Sequence, residues 1–145
     1  MVTRSAHTSW TGTARDGSGI VKLISSGVGS FEVSFPKRAA DEAAGTTSPE
    51  ELIGAAHSSC FAMQCSSKVV AAGGNPIRLE VDAKVSFGPD PAGGFHIPLI
   101  EITVRGEVEG MDEDTFKKVA EEAKATCPVS KALTGTTITL DAAFI

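Results

Sequence analysis

The chain is short of several things at once, and each shortage removes a class of function. It carries three cysteines in 145 residues, too few and odd in number for the disulfide framework of a small secreted domain, so a reducing compartment suits it better. Cys60 and Cys65 have four residues between them, no closer cysteine pair exists, and His7, His57 and His96 are scattered. Zinc sites need tighter ligand spacing, so neither a metal nor another cofactor is expected. No segment approaches the ~20 apolar residues of a membrane span. The opening MVTRSAHTSW also lacks the apolar run of a secretory signal. A cytoplasmic location without a membrane partner is the expectation. Basic residues are outnumbered, 13 Lys and Arg against 18 Asp and Glu, which leaves a net charge of −5 and a pI near 5.1. With no basic patch, nucleic acid is excluded as the main partner. Repeats and low-complexity tracts are absent too, and the length predicts one domain over residues 1–145, large enough to build a core without staples.

What the chain does have is a strong helix start in the run TTSPEELIGAAHSSCFAMQCSSKVVAAG, residues 46–73. Ser48 can cap the first turn, Pro49 suits the first helical position, and Glu51 stands where its carboxylate can reach back to the cap. No proline follows Leu52, and the glycines after Ala72 offer a left-handed stop, which predicts about 24 helical residues, or ~36 Å. The residues from Gly54 to Cys60 are small or weakly polar where a surface helix would carry Lys and Glu. They predict a helix buried nearly all round, one that another backbone can approach closely. By composition alone, Cys60 reads first as a small core hydrophobe and only second as a thiol in a lined pocket.

Around this helix the chain alternates. Residues 5–14 and 20–26 are rich in Thr, Ile and Val and flank the turn cluster Arg15-Asp16-Gly17-Ser18-Gly19, predicting a hairpin. Phe31, Val33 and Phe35 alternate with Glu32 and Ser34 as a third strand that Pro36 closes, and a polar connection through Lys37-Arg38 and AADEAAG follows. A second hairpin is expected over 77–87 and 95–109, joined by the loop 88–94, with Leu79, Val81, Ala83, Val85 and Phe87 on one face. Asp112 caps a short amphipathic helix with Phe116, Val119, Ala120 and Ala123 at helical spacing. Cys127-Pro128 breaks it, because the residue before proline is pushed out of the helical region. One more turn near Ser130–Leu133 and a final strand over 136–144 complete the reading.

The two outer cysteines stand in different local fields. If Pro128 opens a short helix, Cys127 is its cap residue, where unpaired backbone N–H groups favour a thiolate. Cys60 sits in mid-helix, where burial would raise its pKa, and it needs a cation to become a nucleophile. Taken alone, Cys127 reads as well as a loop cysteine filling space.

The run GTTSPEELIGAAHSSCFAM, the later CPVSKAL and the closing ITLD strand resemble the OsmC/Ohr family of thiol-dependent organic hydroperoxide reductases, on the OsmC side. The resemblance covers nearly the whole chain. Its agreement lies in the spacing from Glu50 to Cys60, the Pro-Glu-Glu-Leu start, the histidine three residues before the cysteine, and the Cys-Pro-Val-Ser motif. It implies an α+β fold in which antiparallel sheets wrap a long central buried helix, within an intertwined homodimer.

The resemblance also implies a two-cysteine peroxidase. Cys60 thiolate would attack the O–O bond of an organic hydroperoxide and become a sulfenic acid, which Cys127 would trap as an intramolecular disulfide before further oxidation. A dithiol, among them the lipoyl group of a lipoylated protein, would return the pair to thiols. Arg38 matches the place where the OsmC branch carries its activating arginine, and Arg15 matches the Ohr branch; Arg38 is the preferred choice. A guanidinium cannot lose its proton, so it can hold Cys60 as thiolate and stabilise charge on the departing oxygen. Glu50 would orient that arginine as a bidentate partner, although an acid at a helix start also simply favours the helix. His57 is expected to be a buried, hydrogen-bonded histidine, and Cys65, about 140° round the helix from Cys60, a packing residue.

Ten residues of helical rise put ~15 Å between Glu50 and Cys60, too far for a single arginine head. Either an antiparallel partner helix crossing near Ala55 supplies Glu50 from a second chain, which predicts the homodimer, or a kink near Gly54 bends it back. Two other functional classes stay open: a hydrophobic-ligand or structural module without turnover, against which both cysteines and an arginine candidate count, and a thiol enzyme acting on a non-peroxide electrophile.

Overall fold

Helix α2 spans Pro49–Ala71 in the computed structural model, which describes residues 1–145. Its start follows the expectation, since the Ser48 hydroxyl accepts from the Glu51 N–H at 3.1 Å. The Glu51 carboxylate, however, takes its hydrogen bond from the Thr47 side chain. At the far end Gly73 adopts φ +86° and the Gly74 N–H bonds back to the Val69 carbonyl at 3.0 Å, the six-to-one closure of a Schellman stop.

The chain forms two compact units, Met1–Leu52 and Ile53–Ile145. The first is built on a three-stranded antiparallel sheet in the order β1 (His7–Thr11), β2 (Ser18–Lys22), β3 (Ser30–Ser34). The predicted hairpin is there, with shorter strands and a turn closed by the Gly17 N–H on the Thr13 carbonyl. Gly19 is required in β2, because a Cβ there would meet the Trp10 ring at 2.9 Å and the Ser9 carbonyl oxygen at 2.7 Å. The third strand ends one residue earlier than its alternation suggests. Phe35 opens a single helical turn, α1 (Phe35–Arg38), with Pro36 near its start, where the missing N–H costs nothing.

The second unit holds the main core. Strands β4 (Asn75–Val85), β7 (Leu99–Glu109) and β8 (Thr137–Phe144) form a sheet in the order β4-β7-β8. Strands β4 and β7 are antiparallel, and β8 joins β7 in parallel after the crossover through α3 (Glu113–Thr126) and α4 (Pro128–Ala132). The second hairpin strand begins at Leu99 instead of Phe95. Pro98 lacks an N–H, and the residues before it close a small extra ribbon of β5 (Gly88–Pro89) with β6 (Phe95–His96). Asp112 caps α3 through the Thr115 N–H at 2.8 Å, as its sequence suggests.

Inside this unit Phe61, Cys65 and Val69 of α2 pack with Ile100, Ile102 and Val104 of β7 and with Phe116, Ala120 and Ala123 of α3. The α+β class is thus borne out. Close approach of helix to sheet is borne out as well: a Cβ on Gly54 would stand 3.1 Å from the Ala83 carbonyl oxygen. Burial all round is not. The buried positions His57, Phe61, Cys65 and Val69 recur every fourth residue, while Ala55, Ala56, Ser59, Met63 and Val70 are exposed. A single sheet covers only one face of a helix, so within one chain the small-residue face is open to solvent.

Candidate active site

In the first unit, α1 carries Arg38 out of the sheet and the first turn of α2 carries Glu50. The two meet as a fork: Arg38 Nε donates to both Glu50 oxygens at 3.0 and 3.1 Å, and a terminal guanidinium nitrogen donates to Oε1 at 2.5 Å. The Glu50 side chain is 9% exposed and that of Arg38 27%. A buried carboxylate held in this bidentate way fixes the guanidinium plane instead of merely neutralising it. Arg38 also forms part of the wall of a cleft of about 520 Å³ whose other faces include Trp10, Val21, Val33, Phe35 and Leu52. Arg15 lies exposed in the β1–β2 turn without an ion pair, so the arginine that Glu50 engages is Arg38. Neighbouring Lys37 is tied to the Thr46 hydroxyl at 2.9 Å.

In the second unit, the mid-helix Cys60 and the residue between α3 and α4, Cys127, bring their sulfurs into hydrogen-bond contact at 3.3 Å. Both are free thiols. Cys127 leaves the helical region, with φ −60° and ψ 123°, and becomes the cap residue of α4, the position expected from Pro128. Burial alone would push its thiol up. The Ser130 N–H, the Cys60 side chain, the Ser130 side chain and the Val129 N–H outweigh that, and the net shift is downward. Cys60 goes the other way: burial pushes its pKa up, and the Val129 N–H only partly offsets this while Cys127 adds to it. Cys65 is fully buried in the core, where burial raises its thiol to about 11, and it takes the packing role expected of it.

His57 is fully buried, as anticipated, and its Nε2 lies 2.7 Å from the Ser130 hydroxyl. Burial lowers its pKa, which keeps the ring neutral. Ser130 escaped the reading from sequence. The available signal was its place at the third residue of a proline-started helix capped by Cys127.

The architecture matches that of solved organic hydroperoxide resistance proteins. A crystal structure of one from Elizabethkingia anophelis covers 100% of this chain and 98% of its own, with a TM-score of 0.80 and 27% identity. For the organic hydroperoxide resistance protein OhrB of Bacillus subtilis, at 24% identity, the TM-score is 0.73 over 95% and 97% of the two chains. In sequence, the profile of the OsmC-like protein family matches residues 41–141. Peroxiredoxin OsmC of Escherichia coli (strain K12) is 39% identical over 132 residues, 91% of this chain and 90% of that protein. The chain belongs to the OsmC-like family.

Proposed function

We propose that this protein is a thiol-dependent peroxidase that reduces organic hydroperoxides to alcohols, with Cys60 as attacking and Cys127 as resolving cysteine. The observation that carries the reading is the 3.3 Å contact between two free sulfurs, which needs only a small approach to reach the ~2.0 Å of a disulfide. The relatives support the substrate class, being a peroxiredoxin and a hydroperoxide resistance protein by name. In the first step the Cys60 thiolate takes the outer oxygen of the hydroperoxide. The O–O bond breaks, and the alkoxide leaves with a proton as alcohol. The sulfenic acid then meets Cys127, the S–S bond forms, and water departs. A dithiol, such as a protein-bound lipoyl group, returns both sulfurs to thiols, and no metal or other cofactor takes part.

The raised pKa of Cys60 is the reason an arginine is needed. Arg38, oriented by Glu50, supplies the fixed positive charge that holds the thiolate and the departing oxygen. The pair acts across a homodimer, on Cys60 of the second chain. No helix of the structure is long and apolar enough to cross a membrane, and the need for free thiols favours the reducing cytoplasm.

The test is peroxide consumption with dihydrolipoamide or dithiothreitol as reductant. Cumene hydroperoxide should turn over much faster than hydrogen peroxide, because half-buried Ile53 packs with Cys60 against the apolar core that holds Phe61, and apolar Met63 follows on the same helix. Cys60→Ser should abolish even the stoichiometric first reaction, and Cys127→Ser should react once and stop at sulfenic acid. The reverse phenotype, read by intact mass after one equivalent, would exchange the two roles. Absence of peroxide consumption would remove the reading.

A further inference from the structure

We propose that His57, acting through Ser130, is a positioning residue for Cys127: its ring N–H holds the Ser130 hydroxyl so that the hydroxyl donates to the Cys127 sulfur during disulfide closure. The inference rests on the two-cysteine reading above and assigns work to two buried polar side chains that this chemistry has not yet used.

The geometry is a chain of contacts. His57 and Cys127 are fully buried and Ser130 is 7% exposed. His57 Nε2 stands 2.7 Å from Ser130 Oγ, while its Nδ1 is buried without any partner. A buried N–H lacking an acceptor suffers its whole desolvation penalty, so the single proton of the neutral ring sits on Nε2 and Nδ1 is bare. His57 is therefore the donor and Ser130 Oγ the acceptor. The serine keeps its own proton for another acceptor. Ser130 is the third residue of α4 and Cys127 its cap, one turn apart on the same helix, and the Ser130 side chain is among the groups that draw the Cys127 thiol down. The Cys60 sulfur is 3.3 Å further on.

This order suits the second step and not the first. Cys127, as thiolate, attacks the sulfur of Cys60 sulfenic acid; the S–S bond forms, the S–O bond breaks, and hydroxide leaves and is protonated by solvent. His57 and Ser130 transfer no proton. They supply aligned donors that keep the buried Cys127 sulfur negative and aimed, which water cannot do there. The same bond ties the middle of α2 to α4, and so sets which face of Cys127 meets Cys60.

The experiment adds one equivalent of cumene hydroperoxide to reduced protein, then follows sulfenic acid by dimedone trapping and mass spectrometry and disulfide closure by quenched flow. Ser130→Ala and His57→Leu should each slow closure about tenfold, the size of one hydrogen bond, and leave the rate of sulfenic acid formation within about twofold. Ser130→Thr and His57→Gln, which restore a hydroxyl and an N–H donor, should recover most of the lost rate. If His57→Leu does not fold, Ser130→Ala decides alone, since losing one hydroxyl barely changes buried volume. Closure at the unsubstituted rate in Ser130→Ala would overturn the proposal, as would equal slowing in the Ala and Thr variants. Failure of the two-cysteine reading looks different: Cys60→Ser would still react with peroxide.

Discussion

Cys60 and Cys127 touch through their sulfurs at 3.3 Å yet stand in opposite fields, the first pushed up by burial and the second drawn down by the donors at the start of α4. The lower-pKa thiol of a disulfide leaves faster. In the proposed disulfide Cys127 would thus be the better leaving sulfur, and the half-buried Cys60 the one a dithiol would reach. The same asymmetry means that the immediate surroundings of Cys60 do not activate it for the first step.

Activation is accordingly expected to depend on the Arg38–Glu50 fork. Arg38→Met should lower the rate of sulfenic acid formation by ~10²–10³, the scale of losing one fixed donor to a developing oxyanion. Glu50→Gln should cost less, since the guanidinium charge remains and only its aim loosens. Arg15→Met should stay within about twofold. Stopped-flow measurement of the first step on all three variants checks this, and a large loss in Arg15→Met would move the role to the β1–β2 turn.

The parts of this architecture that the sequence declared are those governed by local chemistry. Ser48-Pro49 and Asp112 announced helix starts through their caps, and Cys127-Pro128 announced a break because proline restricts the residue before it. Arg38 and Glu50 were legible only through a family motif, since they stand twelve positions apart and no periodicity links the end of α1 to the first turn of α2. Ser130 was missed for a related reason: its partner His57 lies 73 residues away, and only the packing of α4 against α2 joins them. The expected burial of α2 on every side failed because small residues report that close approach is tolerated, not how many neighbours one chain supplies.

Cys65 offers a separate check on the core, through pH. Its thiol goes from the usual 9.0 to about 11, so above the unfolded value the unfolded chain loses the proton that the folded one keeps. Stability is then present in full below about pH 9 and is lost as pH rises towards 11, by roughly 2 to 3 kcal/mol at ~1.36 per unit. Urea melts across that window should show the fall, and Cys65→Val, which fills the same buried space, should flatten it. An unchanged slope in the valine variant would assign the alkaline loss to other groups.

The exposed face of α2 leads to the last prediction. Ala55, Ala56 and Ser59 are small, and Met63 and Val70 are 74% and 59% exposed on the same helix, a composition suited to close helix-to-helix contact and poorly suited to water. Antiparallel crossing of two such helices near Ala55 would set Glu50 of one chain level with Cys60 of the other, which spans the ten-residue rise between them in sequence. Sedimentation should therefore give a homodimer. Subunit exchange between Cys60→Ser and Glu50→Ala proteins should restore activity, because each mixed dimer would regain one intact site from one chain's Glu50 and the other's Cys60. If each site were built within a single chain, mixed dimers would be no more active than their parents. A fully active monomer would remove the shared site altogether.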